Sequence, residues 1–216
     1  MRGLWYLIVL QLARFVYFLI GGYRGFQKQN VPKSGGVIIA PIHLSHLDPP
    51  LVACVTRRQL RFMAKEELFK GALGWLIRSL GAFPVKRGEG DTESIRLAIG
   101  ALEAGEAVLM FPEGTRGDGK TLGALNKGVA MIAKRTGAPV VPISINGTHL
   151  ALPKGSKKLR RAPFRIRFGE PLLYSEVARG ATEKENRELF LDELARRLIT
   201  LSAENGLPLE MPEAAK

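Results

Sequence analysis

The chain has 216 residues, 46% of them hydrophobic, enough for one domain with a sizeable core plus an appendage. A formal charge of +12 draws it to polyanions, whether nucleic acid, an anionic bilayer or phosphorylated metabolites, without choosing among them. The single cysteine, Cys54, excludes an intramolecular disulfide, so nothing calls for an oxidising compartment and a cytosolic setting is the default.

Residues 4–20 are apolar except for Gln11 and Arg14. A helix of that length reaches about 25 Å at about 1.5 Å per residue, short of a hydrocarbon core of about 30 Å. Arg14 near its middle would cost about 2.5–3.5 kcal/mol on insertion scales. Gln11 and Arg14 are three apart and share a helix face, which suits a helix lying in one leaflet with those groups turned to headgroups or protein. A secretory signal peptide fits less well, because no small-x-small cleavage site is evident around residues 21–23. A buried soluble helix also fits less well. Arg2, Arg14, Arg24, Lys28 and Lys33 precede the first acidic residue, Asp48, and such a basic amphipathic stretch suits an anionic surface. Residues 1–34 are therefore read as an N-terminal membrane-associated helical module, monotopic rather than spanning.

After the turn-rich residues 30–36, the short apolar run 37–40 reads as a buried strand, and similar runs follow at 60–64, 82–86, 107–111, 140–145 and 164–168. Helical patterns lie between them at 49–55, 66–79, 92–104 and 122–136. This alternation predicts an α/β fold, a layered domain with a largely parallel central sheet flanked by helices, spanning 35–205. In such folds ligands collect at the carboxyl ends of the strands. The stretch 182–203 places Leu189, Leu191, Leu194, Leu198 and Leu201 at near-helical spacing and predicts a terminal amphipathic helix ended by Gly206 and Pro208. Residues 206–216 are expected to fray.

Two strand-end segments carry reactive side chains. After the first strand come His43, Ser45, His46 and Asp48, followed by Pro49 and Pro50. Pro49 disfavours helical geometry at Asp48 and suits the first helical position, so Asp48 is an N-cap candidate and the break lets the His43 ring turn onto its carboxylate. A plain cap, a loop histidine and a metal site from His43, His46 and Asp48 are the competing readings; His149 and Cys54 alone could complete such a site. After the strand 107–111 comes Phe111-Pro112-Glu113-Gly114-Thr115-Arg116. There Gly114 permits close backbone approach and Arg116 offers a fork for phosphate, although the segment also reads as an ordinary polar turn. Two more segments, Gly81 to Arg87 and Val141-Pro142-Ile143, set strand ends beside basic residues or other strands.

In this order and at these separations the four blocks resemble the lysophosphatidic acid (1-acylglycerol-3-phosphate) acyltransferase family, over about residues 35–150. The first looks like the family's His-x4-Asp motif, with Ser45 in place, while Ile42 stands where an asparagine often precedes the histidine. The second is similar to Gly-x-x-Phe-x-x-Arg with a shift, since Phe83 and Arg87 are four apart. The third and fourth, residues 111–116 and 141–143, match the family's motifs.

The resemblance implies that His43 takes the proton from an acceptor hydroxyl attacking an acyl thioester, with Asp48 orienting the ring. It implies the Gly114 amide and Lys65 as oxyanion donors. Arg87, Arg116 and Lys127, with Glu113 and Thr115, would grip the acceptor, lysophosphatidic acid. The co-substrate would be acyl-CoA or an acyl carrier protein, with no metal and no further cofactor. The basic stretch 154–167 has seven cations and no acid. It lacks interleaved aromatics for base stacking, so anionic headgroups or an acyl carrier suit it better than nucleic acid. The expected location is the cytoplasmic face of the cell membrane. Rival readings are a relative acylating glycerol 3-phosphate, a lyso-ornithine lipid or a lysophospholipid, a metal-dependent hydrolase, and a non-catalytic basic binding protein.

Overall fold

The computed structural model describes residues 2–85 and 92–211; Lys86 and Arg87 lie outside them. The strands are β1 (Tyr23–Phe26), β2 (Val37–Pro41), β3 (Leu60–Lys65), β4 (Ala82–Val85), β5 (Ala107–Leu109), β6 (Val140–Asn146) and β7 (Phe164–Phe168). The helices are α1 (Arg2–Ile20), α2 (Asp48–Val55), α3 (Gly71–Ser79), α4 (Thr92–Glu103), α5 (Lys127–Thr136), α6 (Thr148–Ala151), α7 (Tyr174–Val177) and α8 (Glu183–Glu204). The strands form one seven-stranded sheet in the order β1-β7-β6-β2-β5-β3-β4. From β6 to β4 neighbouring strands run parallel; β7 pairs antiparallel with β6, and β1 parallel with β7.

Covering both faces of the sheet explains the sequence of its centre. All five residues of β2 are buried, and so are all three of β5. Towards the edge the pattern becomes alternating: Phe164, Ile166 and Phe168 of β7 point into the core while Arg165 and Arg167 do not. Strand β1 is four residues with an arginine and a glycine, so it carries no apolar run. Its residues fall inside the predicted N-terminal module yet pair with residues 164–167 of β7.

Several predicted elements are redrawn, and the strand expected over 107–111 ends at Leu109. The helix expected over 66–79 divides into a 3-10 turn, Glu66–Phe69, and α3, because Lys70 is extended and Gly71 has φ +59°. The helix expected over 122–136 starts at Lys127, where Asn126 caps it by accepting from the Gly128 N–H at 2.7 Å. In α8 the buried face runs through Phe190, Leu194, Ala195, Leu198 and Leu201, leaving Leu189 exposed. The expected fraying of the tail is corrected for residues 206–211: Leu207 and Leu209 are buried, and Glu210 pairs with Thr121.

One face of the sheet carries α1, α2 and α3. Helix α1 packs on α2, and its Trp5 ring sits 5.9 Å from that of Trp75 in α3 while donating an N–H to Ser79 Oγ. The other face carries α4, α5 and α8. Helix α1 contains the one stretch among the described residues that is long and apolar enough to cross a membrane. It docks along a stripe of Tyr6, Leu10, Ala13, Arg14, Tyr17 and Ile20. Arg14 Nε donates to the Cys54 carbonyl at 3.1 Å, in the last turn of α2, where a cation is favoured by the helix dipole. Tyr17 Oη donates to the Leu47 carbonyl at 2.6 Å, and Tyr6 Oη accepts from the Leu60 N–H at 3.3 Å. Beneath this helix Cys54 is buried, and desolvation, opposed by Arg14, pushes its thiol up to about 12.

Candidate active site

Strands β2 and β5 lie side by side, but the chain leaves β2 towards β3 and leaves β5 towards β6, in opposite directions. A crevice therefore opens at their carboxyl ends, the usual ligand position in an open α/β sheet. His43, just past β2, and Phe111 to Arg116, just past β5, meet there.

His43 is held on four sides. Its Nδ1 lies 2.9 Å from Asp48 Oδ2, its N–H donates to Glu113 Oε1 at 2.9 Å, and its carbonyl accepts from the Gly117 N–H at 2.7 Å. The ring stacks on Phe111, with centroids 3.9 Å apart and planes inclined by 26°. The side chain keeps 17% of its surface exposed, and among the described residues its Nε2 has no bonded partner. Pairing with a carboxylate puts the ring proton on Nδ1, so Nε2 presents a lone pair to the crevice.

Asp48 is fully buried, and the same Oδ2 accepts from the N–H groups of Leu44 at 2.6 Å and Ser45 at 2.7 Å. The carboxylate thus folds the preceding loop around itself. The cap expectation is corrected: Leu47 occupies the N-cap position without a side-chain bond, and Asp48 is the first helical residue, its side chain turned back to the loop. Ser45 closes the same loop, its Oγ donating to the Leu152 carbonyl at 2.8 Å and accepting from the Leu47 N–H at 3.3 Å.

Glu113 links the two loops. Its second oxygen, Oε2, accepts from the Gly123 N–H at 2.9 Å. Burial pushes the Glu113 carboxyl above its ordinary value, and the N–H donors of His43 and Gly123 pull it back in part. A Cβ on Gly123 would stand 2.8 Å from Oε2, so any larger residue there would push the Glu113 carboxylate off its two donors. The Gly114 amide, expected as an oxyanion donor, instead donates to the Phe111 carbonyl at 3.0 Å, closing a turn that Gly114 enters at φ +66°.

Burial, followed by the charges of Arg116, His43 and Lys65, pulls the pKa of His46 below its ordinary value, so Arg116 from the β5 loop and Lys65 from the end of β3 act on the same imidazole. Arg116 is half-buried, and its carbonyl accepts from Lys154 Nζ at 2.8 Å, which brings the first cation of the basic stretch 154–167 to the motif, whereas Arg165 and Arg167 at its far end lie over Phe26. Thr115 is exposed beside it, and Lys127 is exposed at the start of α5. Arg87 lies outside the described residues. Among the described residues no three His, Cys, Asp or Glu side chains converge as metal ligands, so His43, His46 and Asp48 do not form the metal group weighed from their spacing.

The sequence marks Phe111 as part of the motif but gives no sign that its ring packs on His43. It does not single out Gly117 or Gly123, whose part is played by main-chain N–H groups that no residue type signals.

The sequence and the fold both have relatives among known proteins. A family model described as Acyltransferase matches residues 25–146. The chain is 31% identical over 191 residues to the 1-acyl-sn-glycerol-3-phosphate acyltransferase of Bacillus subtilis, covering 87% of this chain and 92% of that one. It is 33% identical over 167 residues to a protein of the same name from Streptococcus pneumoniae, covering 76% and 58%. It is 30% identical over 139 residues to the lyso-ornithine lipid O-acyltransferase of Pseudomonas aeruginosa, covering 63% and 50%. The crystal structure of the 1-acyl-sn-glycerophosphate acyltransferase from Thermotoga maritima superposes with a TM-score of 0.76 at 30% identity, covering 94% of this chain and 81% of that one.

Proposed function

The chain belongs to the acyltransferase family, and we propose that it moves a fatty acyl group from acyl-CoA or acyl carrier protein to the sn-2 hydroxyl of 1-acylglycerol 3-phosphate, giving phosphatidic acid. The observation that carries this reading is the histidine held by Asp48, Glu113, Gly117 and Phe111, its Nε2 without a bond among the described residues, where the loops after β2 and β5 meet.

In the proposed reaction Nε2 accepts the proton of the acceptor hydroxyl as its oxygen attacks the thioester carbonyl. The new C–O bond makes a tetrahedral oxyanion, and Asp48 stabilises the imidazolium. Collapse restores the carbonyl, breaks the C–S bond, and returns the proton from Nε2 to the departing sulfur. The attacking alcohol is the substrate itself, so no acyl-enzyme and no metal are called for. With the Gly114 amide engaged in its turn, Lys65 is the remaining proposed oxyanion donor.

Lys65 and Arg116, which both act on His46, favour an acceptor bearing a phosphate, and Thr115 and Lys127 are proposed to extend the grip. A lyso-ornithine headgroup, which carries an amine as well as a carboxylate, suits these cations less well. The proposed donors are cytosolic, which puts the site at the cytoplasmic face of the cell membrane. Helix α1 is tied to the catalytic domain from end to end, at Trp75 through Trp5, at Leu60 through Tyr6, at Cys54 through Arg14 and at Leu47 through Tyr17, which favours a helix lying in one leaflet with its outer face in lipid.

The test is thiol release from long-chain acyl-CoA and from acyl carrier protein, with and without 1-acylglycerol 3-phosphate, alongside His43→Ala. Acceptor-dependent release that drops by about 10²–10⁴ in the folded variant is the expected result. Release in His43→Ala at the native rate would remove His43 as base. Preference for lyso-ornithine lipid over 1-acylglycerol 3-phosphate would reassign the acceptor.

A further inference from the structure

We propose that the C-terminal segment 207–210 is a positioning strap for the catalytic base: it fixes the loop that anchors Glu113, and through Glu113 the backbone of His43. This rests on the reading of His43 as base.

The strap begins where α8 ends. Asn205 is buried, and its Nδ2 donates to Ser144 at the backbone carbonyl (3.3 Å) and Oγ (3.2 Å) and to the Arg165 carbonyl (3.1 Å). Gly206 takes φ +80°, and the Leu207 N–H donates back to the Ser202 carbonyl at 2.8 Å, reversing the chain. Asn146 Nδ2 ties the turn to the end of β6 by donating to the carbonyls of Asn205 and Gly206, both at 3.0 Å. Leu207 and Leu209 then enter the core that also holds Leu122.

At its far end the segment pairs with the active-site loop. The Glu210 N–H donates to the Lys120 carbonyl at 2.8 Å, and the Leu122 N–H donates to the Glu210 carbonyl at 3.0 Å, a parallel bridge opposite Thr121. The next residue, Gly123, donates to Glu113 Oε2 at 2.9 Å, and Glu113 Oε1 receives the His43 N–H at 2.9 Å. Three hydrogen bonds thus separate the Glu210 carbonyl from the His43 amide.

The loop needs such a partner. Residues 110–126 join β5 to α5 with no helix or strand of their own, and ordering each residue costs about 1–2 kcal/mol of backbone entropy. Within the loop, the Asp118 side chain accepts from the N–H groups of Lys120 and Thr121, which shapes a turn but does not tie it to the sheet. Gly117 ties the loop to the His43 carbonyl, and the strap adds the tie at residues 120–122, next to Gly123, in a reaction where misplacing the base by about 1 Å costs about 10²-fold.

The experiment is a cycle of Glu210→Pro, which removes one strap N–H, against Glu113→Gln, with Glu210→Ala separating side chain from backbone. Glu210→Pro is expected to lower kcat roughly ten- to a hundredfold more than Glu210→Ala in the native background, but by less than about twofold in the Glu113→Gln background. Hydrogen exchange is read in parallel: amides of His43 and Gly123 should exchange faster in Glu210→Pro while residues 38–40 of β2 stay protected. Leu209→Ser serves as the second break if the proline variant does not fold, and the volume-conserving Leu209→Met should restore kcat. Unchanged kcat, losses that multiply across the cycle, or unaltered exchange at His43 and Gly123 would each overturn the strap. The exchange result stands whether or not His43→Ala abolishes turnover, so failure of the base reading is seen separately.

Discussion

The helices α1 and α8 cover opposite faces of one sheet and are built inside out relative to each other. Helix α8 buries Phe190, Leu194 and Leu198 and shows ion pairs outward, Glu193 with Arg196 at 2.9 Å and Arg197 at 2.7 Å, and Lys184 with Glu188 at 4.0 Å. Helix α1 turns the hydroxyls of Tyr6 and Tyr17 and the guanidinium of Arg14 inward, and leaves Leu4, Leu7, Ile8, Leu12, Phe15, Phe18 and Leu19 outside. Each inner face satisfies the sheet. The outer face records the medium: water can solvate the charges of α8, whereas the outer face of α1 asks for hydrocarbon.

Putting charge on the lipid side should break this contrast most visibly. Leu12→Glu combined with Phe15→Glu removes two apolar side chains worth about 1.5–3 kcal/mol each and adds two anions, so vesicle partitioning should fall by about 10² or more. Sedimentation with anionic vesicles measures it, and partitioning within about twofold of native would contradict a lipid-facing α1.

A smaller effect probes the polar underside. Tyr17→Phe deletes one hydrogen bond but leaves the Leu47 carbonyl its helix partner, the Leu51 N–H, so the cost should be about 0.5–1.5 kcal/mol in denaturant unfolding. The same tyrosine predicts a pH response. Burial, then nearby Cys54 and Asp48, raises its pKa, so the folded protein keeps a proton that the unfolded chain releases above about 10. Stability from this group is complete below that pH and is lost as pH rises past it. Tyr17→Phe should flatten that alkaline decline, measured as Tm against pH; an unchanged slope would exclude Tyr17 as its source.

The smallest change is expected on α8. Lys184→Ala breaks an exposed pair and should move stability by no more than about 0.5 kcal/mol, and a larger shift by calorimetry would mean that the outer ion pairs hold the helix in place.

What could be read from the sequence follows the same division between side chains and backbone. The central strands were legible because strands buried on both faces become continuous apolar runs, as in residues 37–40. The approach of His43 to Asp48 was legible because Pro49 suits only the first turn of a helix, which leaves His43 in the loop before it, free to turn back onto the carboxylate. The grip of Glu113 on two loops was not, since both donors are main-chain N–H groups. The tail misled for the same reason: Leu207 and Leu209 alternate like a strand, but the pairing of Glu210 with Thr121 is made by backbone atoms alone. Strand β1 was illegible because, paired on one side only, it needs no apolar run.

Cys54, alone of its kind and sealed beneath α1, gives the molecule a chemical clock. Its thiol is buried and pushed up to about 12, so an alkylating reagent reaches it as thiolate only when the cover lifts. Labelling rate therefore counts how often α1 leaves its seat, and a bilayer that pins the helix from outside should slow that count without touching the site.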